Sequence, residues 1–435
     1  MCDTLVALPH YTRNKSLIFA KNSDREPQEA QGIILMPKVQ NFNSMTPETQ
    51  ARTSGLGMSK TTLQCTYISI PQVAETFEVI LSKPFQMWGA EMGINEFDVI
   101  IGNEAVFTNV KIPRKNDGLT GMDLLRLALE RSRTAPEAVK TITELLMKFG
   151  QDACGGYKNK DFFYHNSFIV ADPNEAYILE TAGKSWAVKK VKDFASISNG
   201  LSIDTDYKYL NVEDEKRSFP FFLFPKPNPF SFSQYFSDFL YTKVSRASQR
   251  RECSSNLVDA AKGDLTVEKA IRILQTHNLP DPEFTPKKAN TASLCMHATG
   301  LTNPSQTTGS MVAEVRSNGP STVWLTGTSM PCLSIYIPFF MGTDSLKDLT
   351  QPTTKPDGSL WWQAEKVHRW VCEDYQSRKT QIGTAIQELQ EAFFREEQKL
   401  IENQSDKATL EKFSNACLQK VLDFYHEFFF NNLPV

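Results

Sequence analysis

Met1-Cys2-Asp3-Thr4-Leu5-Val6-Ala7-Leu8, answered by Ser16-Leu17-Ile18-Phe19-Ala20-Lys21-Asn22-Ser23-Asp24-Arg25, is the stretch on which the fold turns. Both runs are apolar enough for strands, and the turn-formers in Pro9–Lys15 between them predict a hairpin. If the initiator Met is removed, Cys2 carries both a thiol and a free α-amine. A thiol with a pKa of about 8.5 already supplies some thiolate at neutral pH. An α-amine titrating at about 7.7–8.0 is close to a usable base. Nucleophile and base then sit on one residue. A hairpin partner must also lie beside Cys2, so Lys21 and Asp24 become its neighbours, with Asp24 in reach of the amine. The run Lys21–Arg25 reads equally as a solvated loop at a strand end.

The totals narrow the classes. A chain of 435 residues holds one large domain or two ordinary ones, and 40% apolar with 22% charged residues describes a globular protein. A net charge of −3 argues against a broad nucleic-acid surface. No run approaches the ~18 apolar residues of a membrane span. The eight cysteines (Cys2, Cys65, Cys154, Cys253, Cys295, Cys332, Cys372 and Cys417) include no C-x-x-C pair, so neither a metal site nor a disulfide framework follows, and no cofactor is expected. A reduced, cytoplasmic setting is the default expectation; Asp3, Pro9 and His10 interrupt anything like a signal peptide.

Further along, residues 63–70 and 77–81 alternate like strands. Trp88–Glu96 leads into a short apolar strand ending at Gly102-Asn103-Glu104, where Asn103 could offer an amide to a developing oxyanion or simply make a turn. Helices are predicted over 121–132 and 136–149, the second with Thr134 as N-cap and Gly150 as its stop. His165–Ala171 and Glu175–Thr181 predict a hairpin across Asp172-Pro173-Asn174, with His165 structural. Ser196–Gly200 ends in an Asn-Gly turn that could aim Asn199 at a ligand. Residues 214–240 read as a Phe- and Pro-rich insertion packed on the body, or as a partner surface. Arg246, Arg250 and Arg251 form a helix face or a carboxylate clamp. A helix is predicted over 267–275, a hairpin over 307–315 and 322–325, and a strand over 333–340. After Gly342 the composition turns polar, and helical patterns run from 364 to 402 and from 407 to 430. The domain expectation is a core over 2–342, a linker or surface loop over 343–363, and helices over 364–435 packed on the core.

Together these segments resemble the secernin branch of peptidase family C69, the group that includes bacterial dipeptidases. The matching motifs are Cys2-Asp3-Thr4, Phe19–Arg25, Trp88–Gly93, Asn95-Glu96, Gly102–Val106, Gly121–Leu124, His165–Phe168, Ile178–Gly183 and Thr308–Val312, in order across residues 2–340. The resemblance implies an α+β fold: the four-layer αββα sandwich of N-terminal-nucleophile hydrolases, here with a C-terminal helical extension. It implies Cys2 as nucleophile with Asp24 beside its amine. It puts Lys21 where the wider clan often has Arg, Asn103 and Asn199 near the oxyanion and amine-orienting positions, and Arg251, or its neighbour Arg250, near a clan arginine. Because Cys2 follows Met1 directly, no self-cleaved propeptide is expected. The function implied is a dipeptidase-like amide hydrolase acting on a small peptide or amide, with no nucleic acid, no membrane span, and homo-oligomerisation left open. The alternative from the same resemblance is a component of regulated exocytosis that keeps the fold as a scaffold.

Overall fold

The hairpin forms, and it is longer than its apolar run. In the computed structural model, which describes residues 1–41, 62–238, 244–300 and 303–432, β1 (Cys2–Ala7) pairs antiparallel with β2 (Leu17–Arg25). Cys2 lies opposite Ser23 and Thr4 opposite Lys21. Lys21–Arg25 is therefore strand and wholly buried, which overturns the solvated-loop alternative. A strand buried on both faces is ordinarily apolar throughout. This one carries polar side chains on both faces, so each needs a partner in the layer it meets.

The remaining strands of the two large sheets are β3 (Gln31–Met36), β4 (Val79–Pro84), β5 (Met92–Asn95), β6 (Ile100–Val106), β7 (His165–Ala171), β8 (Ala176–Ala182), β9 (Ser185–Lys190), β10 (Phe194–Ile197), β11 (Tyr209–Asn211), β12 (Gln306–Val315), β13 (Thr322–Leu325) and β14 (Ile337–Phe340). One sheet runs β10-β1-β2-β12-β13-β14 and the other β11-β9-β8-β7-β6-β5-β4-β3, all neighbours antiparallel. The chain leaves the second sheet after β9 and enters the first as β10, which pairs with β1. That crossing delivers Ser198 and Asn199 to the N-terminus. Gly102 of β6 lets the sheets approach there: a Cβ would stand 2.7 Å from Lys21 Cδ and 3.0 Å from Phe19 Cζ.

Helices close both outer faces. α1 (Gly121–Arg131) starts with a capping box between Thr120 and Asp123, and α2 (Ala135–Phe149) is capped by Thr134 and ends at Gly150 with φ 69°. Leu124, Leu127 and Leu146 of these helices pack with Ile101, Phe168 and Leu179 of the second sheet. After the short α3 (Phe232–Phe236), α4 (Ala247–Ala260) and α5 (Val267–Leu274) cover the first sheet. The layers are thus helix, sheet, sheet, helix, the αββα sandwich.

At the C-terminal end, α6 (Leu360–Glu373), α7 (Tyr375–Glu402) and α8 (Lys407–Asn432) follow a stretch from Thr343 to Ser359 with neither helix nor strand. The single helix predicted over 364–402 is two helices, because Asp374 leaves helical geometry at φ −138° and ψ 70°. Phe393, Leu418, Val421 and Tyr425 share the main core with Ile337 and Phe339. The strand predicted from 333 begins only at Ile337, the preceding Pro331–Leu333 being a 3-10 turn. In the Phe/Pro-rich stretch Phe232 and Phe236 are fully buried, whereas Phe219, Phe222, Leu223 and Phe224 are exposed; residues 239–240 lie outside the described residues. Among the described residues no helix is long and apolar enough to cross a membrane.

Candidate active site

Strand alternation sends the hairpin's side chains two ways. Cys2, Thr4, Lys21, Ser23 and Arg25 face the second sheet; Asp3, Asn22 and Asp24 face α4, α5 and the 294–307 segment.

On the first face, Lys21 Nζ donates to Asn103 O at 2.6 Å and to Glu104 Oε1 at 3.1 Å, and Thr4 Oγ1 donates to the same carboxylate. Burial alone would pull the Lys21 ammonium down, but Cys2, Glu104 and Glu91 outweigh it and hold Lys21 above its ordinary value, so it stays charged. Burial pushes the Glu104 carboxyl up to about 8 against the pull of Lys21. Arg25 forks onto Glu29 at 2.6 and 3.0 Å and reaches Glu91 at 3.1 Å and Tyr164 Oη at 3.4 Å.

On the second face, Arg250 is fully buried and gathers the N-terminal residues. Its Nε donates to both oxygens of Asp3 at 3.2 and 2.9 Å, and its Nη2 donates to Ser198 Oγ at 2.8 Å and Asn199 Oδ1 at 2.6 Å. Asn199 Oδ1 also accepts from the backbone nitrogen of Cys2 at 2.8 Å, while Asn199 Nδ2 is tied to Ala105 O at 2.8 Å. Asp24 contributes in two ways. Its backbone N–H donates to Cys2 Sγ at 3.3 Å, and its Oδ1 accepts from Thr307 Oγ1 at 2.6 Å, leaving Oδ2 buried without a partner.

Cys2 is 4% exposed, and burial raises its thiol well above the ordinary value despite Lys21 pulling the other way. A thiol held that way reacts only if a base takes its proton as it attacks. Met1 precedes Cys2: its ammonium donates to Asp24 O at 3.3 Å, its Sδ accepts from Arg250 Nη1 at 3.6 Å, and the residue lines a cavity of about 430 Å³. Asp24, Arg25, Glu29, Gly155, Lys158 and Arg369 also line that cavity, so both signs of charge face into it.

The sequence-named residues therefore separate. Cys2, Lys21, Asp24 and Asn199 come together. Arg251 does not: the guanidinium in the cluster is that of Arg250, and Arg251 lies outside it, its charge acting instead on Glu180. Asn103 faces away from Cys2, toward the helix layer. Its backbone N–H is bonded to Glu91 O at 3.2 Å, and its side-chain amide, once turned to exchange oxygen and nitrogen, donates to Glu91 Oε2 at 3.0 Å. Its contribution to the cluster is its carbonyl on Lys21, not an amide for an oxyanion. Asn199 likewise donates from Nδ2 to Ala105 O and turns its oxygen to the Cys2 nitrogen, an amine-orienting geometry rather than an oxyanion one. Asp3 and Glu104 are the residues to which sequence reasoning gave no role; Arg250 was named only as one member of a helix face or carboxylate clamp. His165 is buried against Thr108 at 2.8 Å and its burial lowers it to about 3, a structural histidine.

Asp24 gives a pH signature. Burial lifts its carboxyl from an ordinary 3.8 to about 6, a nearby N-terminal ammonium opposing and Asp3 assisting. A raised acid favours the folded state while protonated, so its contribution is fully present below pH 3.8 and lost as pH rises through about 6. Asp24→Asn should therefore be more stable than wild type at pH 7–8 by on the order of 1–3 kcal/mol, with the difference vanishing near pH 4. Thermal melts across that range check it; a difference that does not change with pH would show that Asp24 carries no such strain.

The profile of peptidase family C69 matches residues 2–220. A dipeptidase of Bifidobacterium longum (strain NCC 2705) is 27% identical over 225 residues, 47% of this chain. The match spans only 38% of that protein's own length. Among solved structures, the C2A mutant of conjugated bile acid hydrolase from Clostridium perfringens superposes with a TM-score of 0.45 at 11% identity, covering 82% of this chain and 98% of the other. Penicillin V acylase from Agrobacterium tumefaciens gives 0.41 at 12% identity, covering 79% and 87%.

Proposed function

Because this chain belongs to peptidase family C69, we propose that it is a cysteine-type amide-bond hydrolase, dipeptidase-like, with Cys2 as nucleophile and the Cys2 α-amine, freed by loss of Met1, as base. One observation carries the reading. The Cys2 nitrogen donates to Asn199 Oδ1 at 2.8 Å, while Cys2 Sγ accepts from the Asp24 N–H at 3.3 Å. Both reactive atoms of one residue are held from separate segments, the nitrogen from the turn after β10 and the sulfur from β2. Freed of Met1, the amine keeps Asn199 as its acceptor, and its lone pair can turn to the thiol. It takes the thiol proton as sulfur attacks the carbonyl carbon, then passes it to the leaving amine; water releases the acyl group from sulfur. Lys21 favours the thiolate form through its charge, and the Asp24 N–H supports the same anion.

The cavity beside Met1 and Asp24 supports a small peptide or amide as the substrate class. About 430 Å³ suits a small ligand, and walls offering Arg25, Lys158 and Arg369 beside Glu26 and Glu29 suit a zwitterion such as a dipeptide. The eight free cysteines support a reducing compartment. The finer assignment to the secernin branch rests on the order of motifs over residues 2–340.

Intact-mass measurement before and after an electrophilic ester or amide probe tests the proposal. Most molecules are expected to lack Met1, and the probe to add once, at Cys2. Met1 retained throughout, with no adduct at Cys2, would remove the single-residue mechanism.

A further inference from the structure

His277, Cys295, His297 and Cys332 converge behind the strand that carries Asp24. One ligand atom from each lies within 4.8 Å of all the others. His297 Nε2 stands 3.6 Å from Cys295 Sγ and 3.3 Å from Cys332 Sγ. Zinc holds thiolate sulfur at about 2.3 Å and imidazole nitrogen at about 2.0–2.1 Å, which sets the N···S edge of a tetrahedron at ~3.6 Å. The spacing is thus that of a four-ligand sulfur and nitrogen shell. A second observation points the same way. Both ring nitrogens of His277 and Nδ1 of His297 are buried without a hydrogen-bond partner, although the two side chains are each 1% exposed. A buried polar atom left unpaired is costly, and coordination through Nε2 would give His277 the partner that nitrogen lacks. Asp281 Oδ1 lies 3.7 Å from His277 Nδ1, where a carboxylate can orient an imidazole that binds a metal through Nε2. Phe284 stacks on the His277 ring at 3.6 Å and 2°, fixing its plane.

We propose that these four side chains bind one Zn²⁺ in a closed structural site, a reading that the cysteine spacing alone did not suggest. Two thiolates and two imidazoles fill the shell and leave no open position for a substrate or a water, so the site holds structure and does no chemistry. The ligands come from three separate segments: the turn after α5, the loop before β12, and the 3-10 turn before β14. The Tyr375 hydroxyl at the start of α7 donates to Cys332 Sγ at 3.5 Å, so the ion also ties the C-terminal helices to the sandwich. Cys332 lines a cleft of about 1080 Å³ that gives the ion a path in. Met296, between two ligands, donates to Thr307 Oγ1 at 2.9 Å and accepts from Thr307 N at 3.0 Å. Thr307 Oγ1 is the donor to Asp24. The ion therefore clamps the segment that holds the Asp24 carboxylate.

The test uses the full chain, purified under reducing conditions without chelator, and does not depend on activity. Elemental analysis should find about one zinc per chain, falling close to zero in Cys295→Ser, Cys332→Ser and His297→Ala and unchanged in Cys417→Ser. A strong chelator should lower the melting temperature of the wild type, and Zn²⁺, but not Mg²⁺, should restore it. Co²⁺ in place of zinc should give thiolate-to-cobalt charge-transfer absorption, which decides the question on wild-type protein even if the variants do not fold. The proposal is overturned if the reduced chain neither carries nor takes up zinc, if zinc survives in Cys332→Ser, if cobalt binds without the thiolate band, or if Cys295 and Cys332 are found as a disulfide that binds no metal after reduction.

Discussion

Cys2→Ala should lose essentially all amide hydrolysis, a fall in kcat/KM of roughly 10³-fold or more, while the melting temperature moves little. The size of the effect follows from where the thiol sits. Burial holds the sulfur protonated, so attack needs the adjoining amine, and removing the sulfur removes the atom that attacks. Stability should change little because alanine keeps the β1–β2 ladder, in which the backbone of Cys2 pairs with Ser23. Cys2→Ser is the more informative variant. It keeps the amine and its bond to Asn199 and replaces only the nucleophile. A residual rate in Cys2→Ser above that in Cys2→Ala would therefore report the amine acting as base. Cys253→Ser, on α4 and only partly buried, is the control and should keep wild-type rates on the same dipeptide panel. Equal activity in all three variants would mean that hydrolysis, if present, arises elsewhere.

How much of this was legible beforehand depends on whether the information is local. The hairpin was, because alternation and a turn-rich connection are read within a short window. So was Asn199, through an Asn-Gly turn closing a strand, though not that β10 would change sheets to reach Cys2. The register of the arginine, Arg250 or Arg251, was readable in the helix period. The buried positions of α4 are Ala247, Arg250, Ser254 and Val258, spaced as the inward stripe of a helix, and Arg251 lies off that stripe. The miss at Asn103 has the same origin in period two. Gly102 faces the hairpin, so Glu104 must face it too and Asn103 cannot. The residues around His277 were beyond reach for a different reason. Cys295 and His297 are neighbours in sequence, but His277 and Cys332 join them only through packing of the turn after α5 against the turn before β14. No spacing rule covers that.

Arg250 should prove the residue on which site and fold jointly depend. Its guanidinium is fully buried, and no other side chain can make its contacts together: Asp3 through Nε, Ser198 and Asn199 through Nη2, and the carbonyls of Ser245 and Thr291 through Nη1. Arg250→Ala leaves the Asp3 carboxylate buried without its counter-charge, and breaking such a pair costs about 3–5 kcal/mol. Asp3 is already held above its ordinary value by burial, with Arg250 the first charge opposing that, so without Arg250 it should stay protonated to higher pH. Arg250→Lys should rescue stability only in part, because an ammonium can meet Asp3 or Asn199 but cannot fork to both. Adding Asp3→Asn to Arg250→Ala removes the orphaned charge and should recover much of the stability. It should not recover kcat, since Asn199 Oδ1 still lacks the donor that holds it toward the Cys2 nitrogen. The pH–rate profile separates this positioning role from a purely structural one. Asn199 Oδ1 accepts from both the guanidinium and the Cys2 nitrogen, so losing the cation leaves that oxygen freer to hold an ammonium and raises the amine's pKa. The acidic limb of kcat/KM should therefore move to higher pH in Arg250→Ala. Asp24→Asn removes an anion from the same neighbourhood and should move that limb to lower pH. Limbs shifting in opposite directions tie both charges to one ionising amine. Limbs that stay in place, with kcat following only the melting temperature, would reduce Arg250 to a brace for Asp3 and take the base away from the Cys2 nitrogen.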